Sequence, residues 1–155
     1  MSDAIWFLGN LMELHHGAGA AGGDALLECT EGPGAMPPLH LHRDEDEGFY
    51  VLEGTLELWA GTTHLTLGAG EAARAPRGIP HTYRTGPEGA RFLVTAGPGF
   101  EAFVRAAGVP APERRVPDPA APDAELVGRL ADEHGITLLG PPGMLPSEVP
   151  ASASA

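Results

Sequence analysis

From residue 4 to residue 97 the apolar positions come in short runs, each closed by Gly, Pro or Thr. Residues 4–8 (AIWFL) and 10–15 (NLMELH) read as strands broken by turn chemistry at Gly9-Asn10. A Gly/Ala loop over 17–23 leads to another apolar strand, 24–30 (DALLECT). The cluster EGPGAMPP is a turn whose two prolines hold the entry to the next strand extended. PLHLH, EGFYVLEG, TLELWAG, THLTLGAG, EAARAPRG, PHTYRT and ARFLVTAG follow, with no helical segment between them. This rhythm predicts an all-β sandwich or barrel over residues 1–97.

Beyond Pro98 the period changes. Phe100, Phe103, Val104 and Ala107 fall at i, i+3, i+4, i+7, which predicts an amphipathic helix ended by Gly108. A Pro-rich linker precedes a second helix, AELVGRLADEH, with Asp123 as N-cap, Gly135 as stop, and Leu126, Val127, Leu130 and Ala131 as its apolar side. ITLLG is a further strand or an extended tail. Residues 98–140 are thus expected to form a helical extension packed on the barrel. Residues 141–155, rich in Pro, Ser and Ala, are expected to be disordered.

Composition narrows the partners. The net charge of −12, with nine Arg and no Lys, disfavours nucleic acid and an anionic membrane surface. No apolar run is long enough to span a bilayer, and the N-terminus lacks a basic region and a cleavage site. A single cysteine, Cys29, excludes an internal disulfide and fits the reducing cytoplasm, the expected compartment.

The chemistry lies in two stretches. His40 and His42 are two apart in a strand and share one face, with Leu39 and Leu41 opposite. Glu47 follows after RDED; if it points inward, so do Phe49 and Val51, while Tyr50 and Leu52 point out. The second stretch supplies His81, with Tyr83 on its face. Three imidazoles and a carboxylate suit a divalent transition metal (Ni, Fe, Mn, Co, Cu or Zn) and leave positions open for substrate, water or dioxygen. Asp44, Glu45 and Asp46 read as a solvated acidic turn. Tyr83 is a hydrogen-bond donor beside the ligands or plain core. His15, His16, His64 and His134 read as exposed, and Cys29 as a small buried apolar residue. Trp6 and Phe7 are core candidates. Met36, Phe49, Val51, Leu58, Ala73, Tyr83, Phe92 and Val94 are the candidate walls of a substrate pocket, where the small Ala73 and Ala75 leave room for a ring. Tyr50, Leu52 and Leu56 or Trp59 are expected to form an apolar outer face that meets a partner.

Gly34-x5-His40-x-His42-x4-Glu47-x6-Gly54 resembles the first cupin motif at every position, and Gly70-x5-Pro76-x-Gly78-x2-His81 resembles the second. The family's Asn after the second motif is Thr85 here, a change that removes no ligand. The resemblance implies a double-stranded β-helix or jelly-roll barrel holding one metal per chain through His40, His42, Glu47 and His81, and a homodimer. PPLHLHRDEDEGFYVLEG, PRGIPHTYR and ADEHGI look most like single-domain bacterial cupins of the quercetin 2,3-dioxygenase-like group. That likeness implies dioxygen-dependent opening of a flavonol, with Glu47 as ligand and as base. The same four residues also suit a non-oxidative cupin enzyme, a polyketide cyclase or isomerase, and a third reading is a non-catalytic cupin that binds a small ligand.

Overall fold

The computed structural model describes residues 2–150. Ten strands form two sheets that share two long, bent strands, β5 (Glu47–Ala60) and β8 (His81–Ala96). The first half of β5 pairs with the last half of β8, from Gly48 opposite Thr95 to Gly54 opposite Ala90. Its second half pairs with the beginning of β8, from Leu56 opposite Thr85 to Ala60 opposite His81. Each strand therefore crosses from one sheet to the other.

One sheet runs β10 (Ile136–Gly140), β4 (Leu39–His42), the start of β8, the end of β5 and β6 (Thr63–Leu67). The other runs β7 (Ala72–Ala75), the start of β5, the end of β8, β3 (Ala25–Glu31), β2 (Asn10–His16), β1 (Asp3–Phe7) and β9 (Val109–Pro110). All pairs are antiparallel, and the inner faces close on one core, the jelly-roll arrangement of a cupin.

The crossing point is made by glycines. Gly54 and Gly89 both have positive φ, 77° and 78°. A Cβ on Gly54 would run into the Gly89 carbonyl, and one on Gly89 into the Glu31 carbonyl. The bend also inverts side-chain parity. Before Gly54 the odd positions Glu47, Phe49 and Val51 are buried; after it the even positions Leu56, Leu58 and Ala60 are. Leu56, expected on the outer face, is therefore fully buried. Tyr50 is exposed, whereas Trp59 is half-buried, stacked on His64 and covered by Arg84.

The segments PHTYRT and ARFLVTAG, read as separate strands, are one strand, because residues 86–89 bulge out of register between Thr85 and Ala90 while the strand runs on through them. Beyond it, α1 (Pro98–Ala107) sets Phe100 and Phe103 edge-on against Phe7 at 6.3 and 5.2 Å. The Pro-rich segment contributes β9 and is held by Trp6, whose indole N–H donates to the Arg115 carbonyl.

Asp123 caps α2 (Ala124–Glu133) by accepting from the Leu126 amide at 3.1 Å. Of the four apolar positions expected to face in, Ala131 is buried, Val127 and Leu130 pack against the core, and Leu126 is exposed. β10 then returns to pair with β4, Ile136 opposite His42 and Leu138 opposite His40. Residues 146–148 form a 3-10 helix where composition suggests disorder; residues 151–155 of that tail lie outside the described residues. No helix among the described residues is long and apolar enough to cross a membrane.

Candidate metal centre

The two sheets each supply part of one site. β4 carries His40 and His42, and His81 opens β8 directly opposite His40. Glu47 opens β5 in the facing sheet, paired with the small Ala75. One ligand atom from each of the four lies within 4.8 Å of the others. His42 and His81 are each only 1% exposed and Glu47 5%.

The imidazoles are oriented by the backbone. Nδ1 of His40 lies 2.8 Å from the Pro38 carbonyl, and Nδ1 of His81 lies 3.1 Å from that of Ile79. A carbonyl only accepts, so both Nδ1 atoms carry a proton, and in the neutral ring this leaves each Nε2 free to act as a ligand. Glu47 Oε2 sits 3.0 Å from Nε2 of His81 and 3.0 Å from Nε2 of His42. At that distance a positive charge, a proton or a metal ion, is shared between the carboxylate and each ring nitrogen. His42 adds to this: neither of its ring nitrogens has a hydrogen-bond partner among the described residues, although both are buried. Three buried, oriented imidazole nitrogens and a carboxylate converging on one point fit a divalent transition metal.

Electrostatics among the protein groups alone tell the same story. Burial pushes the His40 imidazole down to about 3, aided by the charges on His81 and His42. Burial also acts against His42, but Glu47 and Glu45 outweigh it and hold the ring up at about 9. Burial would raise Glu47, yet His42 and His81 keep its carboxyl well below the usual carboxylate range. The cluster thus keeps an anion among imidazoles and draws positive charge to itself.

The acidic turn before Glu47 is less solvated than its composition suggests. Glu45 accepts from the amides of Gly99 and Phe100, at 3.1 and 2.7 Å, and so caps α1 from outside the helix. Oε1, the oxygen that accepts from Phe100, also stands 3.9 Å from His42 Nδ1. Asp46 accepts from the amide and side chain of Arg77. Arg43 ties the end of β4 to Asp132 of α2 and Thr137 of β10.

A cavity of about 680 Å³ adjoins the centre, with His40 and Glu47 in its wall. Of the residues expected to line a pocket, Met36, Phe49, Tyr83, Phe92 and Val94 do. Val51, Leu58 and Ala73 do not. Phe49, Tyr83 and Phe92 pack with ring centroids 5.4–6.3 Å apart and floor the cavity. Val51 and Leu58 are buried in the core away from it, and Ala73 packs against that core. The roof comes from Phe100 and Phe103 of α1, Val127 of α2 and Leu138 of β10, which the strand pattern of the barrel gave no reason to include.

Sequence reasoning also missed Glu31, which ends β3 and lines the cavity while 4% exposed. The alternation Ala25, Leu27, Cys29, Glu31 places it on the inward face. Ending the strand at Thr30 leaves it in a turn instead. Tyr83 donates its hydroxyl to Glu31 Oε2 at 2.6 Å. Burial pushes the Glu31 carboxyl up to about 7; the Tyr83 hydrogen bond opposes this and the Glu47 charge adds to it. Burial, with Glu31 nearby, raises the Tyr83 hydroxyl and the Cys29 thiol as well.

Residues 27–96 match the Cupin_2 family, a cupin domain. Over 59 residues the chain is 45% identical to the quercetin 2,3-dioxygenase of Bacillus subtilis (strain 168), a stretch covering 38% of this chain and 18% of that protein. The match thus spans less than a fifth of that relative's length. Among solved structures, the polyketide cyclase RemF from Streptomyces resistomycificus is 33% identical with a TM-score of 0.50, covering 58% of this chain and 66% of that one. An RmlC-like cupin from Shewanella frigidimarina NCIMB 400 has a TM-score of 0.54 at 22% identity, covering 66% of this chain and 89% of that one, a likeness of fold.

Proposed function

We propose that this chain, which belongs to the cupin superfamily, is a metal-dependent dioxygenase that opens a ring of a flavonol or a related enolisable aromatic compound. The observation that carries this reading is the placement of His40 and Glu47 in the wall of an aromatic-floored cavity of about 680 Å³, within the size range of small-molecule sites. His40, His42, Glu47 and His81 would hold the ion, one per chain. When bound, a divalent transition metal supplies a Lewis acid that lowers the pKa of a coordinated hydroxyl. The stretch shared with quercetin 2,3-dioxygenase supports the choice of substrate class.

The chain's own residues have distinct tasks. Glu47, at the cavity wall, accepts the proton of the substrate hydroxyl at a carboxylate oxygen. Phe49, Phe92, Phe100 and Phe103 offer faces and edges to a flat ring and exclude water from it. The carbonyls of Pro38 and Ile79 keep the His40 and His81 rings turned inward through the cycle.

The likeness to RemF favours a second reading, a cyclase of poly-β-ketone substrates in which Glu47 promotes enolisation without oxygen. Oxygen uptake separates the two. The metal-loaded protein is expected to consume dioxygen with flavonols in an electrode chamber. Absence of uptake with any flavonol, together with conversion of a polyketone or dicarbonyl under nitrogen, would favour the cyclase.

A further inference from the structure

The geometry points to Glu31 and Tyr83 as a second polar anchor in the cavity, one that binds a hydroxyl group of the substrate remote from the metal-holding residues. This rests on the reading of the cavity as the site of a hydroxylated aromatic compound.

Glu31 is out of place by the rules that built its strand. Ala25, Leu27 and Cys29 before it on the inward face are apolar, and a carboxyl there is costly to bury. It has no Arg partner: its only side-chain hydrogen bond among the described residues is from Tyr83, to Oε2. Oε1 has no partner among those residues, and the residue borders the cavity. A buried acceptor with one oxygen satisfied and the other turned to a cavity is suited to receive a donor from whatever fills it.

The surroundings give that donor few alternatives. Apart from His40 and Glu47, the polar side chains lining the cavity are Asn10, Glu31 and Tyr83, and the rest of the wall is largely aromatic and aliphatic. A substrate hydroxyl placed against the apolar wall would lose its water without replacement. Tyr83 follows His81 by two residues on β8 and shares its face, so the strand rise sets them roughly 7 Å apart. A fused two-ring aromatic can therefore reach from the metal-holding residues to the anchor. The Glu31–Tyr83 hydrogen bond also joins the two sheets, so both groups are held in place before a ligand arrives.

The test uses the full-length, metal-loaded protein under nitrogen, so that binding is read without turnover. The probes are quercetin, which bears additional ring hydroxyls, and the parent flavonol, which bears only the 3-hydroxyl. Wild-type protein is expected to bind quercetin at least tenfold more tightly. E31L/Y83F, which removes the acceptor together with the hydroxyl it would orphan, should bring the two affinities within threefold by weakening quercetin alone. E31Q keeps an acceptor oxygen and should recover part of the preference. If the double variant does not fold, Y83F alone is expected to cut the preference at least threefold. A variant with unchanged metal content that discriminates like wild type, or weakens both probes equally, overturns the anchor, as does a wild type with no preference. The dioxygenase reading fails separately: it is lost if no flavonol drives oxygen uptake, even where the preference and its loss in E31L/Y83F are observed.

Discussion

Glu47 and Glu31 are two carboxylates buried to the same degree, 5% and 4% exposed, in the wall of one cavity. Their environments push them in opposite directions. Glu47 faces the nitrogens of His42 and His81 and is held well below the usual carboxylate range. Glu31 faces a neutral phenol and rises to about 7. Burial acts on both alike; the partner decides the outcome. A buried acid among imidazoles rests as an anion, suited to a cation and ready to take a proton from a ligand bound there. A buried acid beside a hydroxyl changes charge near neutrality and suits a neutral hydrogen-bonding group.

The most severe way to break this contrast is to neutralise Glu47. E47Q is expected to retain some metal and to lose turnover by roughly 10²–10⁴-fold, the usual contribution of a positioned base. Steady-state oxygen uptake paired with elemental analysis checks it, and near wild-type turnover would remove the base role.

Next in size is the pH dependence carried by Glu31. Its folded-state pKa, about 7, lies above the ordinary 4.5, so the folded protein binds the proton more tightly. Stability from this group is complete below about pH 4.5 and is lost as pH rises toward 7. The gap corresponds to about 3 kcal/mol at most. Urea unfolding at pH 5 and pH 8 should therefore find wild type losing stability relative to E31Q by up to that amount. Parallel pH profiles for the two would contradict the assignment.

The smallest expected effect concerns Glu45, a carboxylate between these extremes in setting. Its burial works to raise its pKa, but His42 and the amides of Phe100 and Gly99 lower it below its ordinary value. E45A should cost about 1 kcal/mol through loss of the α1 cap. It should also weaken metal retention, since the carboxylate beside His42 is lost. Thermal unfolding with and without added metal reads both. Unchanged metal retention would show that Glu45 serves the helix alone.

The two acids also differ in how visible they are in the chain. Glu47 belongs to a pattern of local rules: two histidines must alternate on one strand, a short turn must follow, and Gly54 must occupy a bend where no side chain fits. Such constraints act over a few residues and leave a fixed spacing. Glu31 owes its place to parity along β3 and to a partner 52 residues away on another sheet, and neither leaves a spacing. The roof was hidden for the same reason: the amphipathic faces of α1 and α2 are plain in sequence, but not which opening they cover. Inversion of parity at the bend is also a tertiary effect. Alternation counted from Tyr50 carries Leu56 outward, and the register shift after Gly54 carries it in.

The pairing of β10 with β4 has a consequence in time. Ile136 lies opposite His42, 136 − 42 = 94 residues later in the chain. At synthesis rates of about 5–20 residues per second, the histidine strand waits roughly 5–20 s for the segment that covers its edge. An uncovered edge invites pairing with other chains. Here the waiting strand, Leu39–His42, is short, begins just after Pro37 and Pro38, and ends at Arg43 and Asp44. These are the features that make an edge a poor template, so the nascent chain is protected by the same few residues that later frame its metal centre.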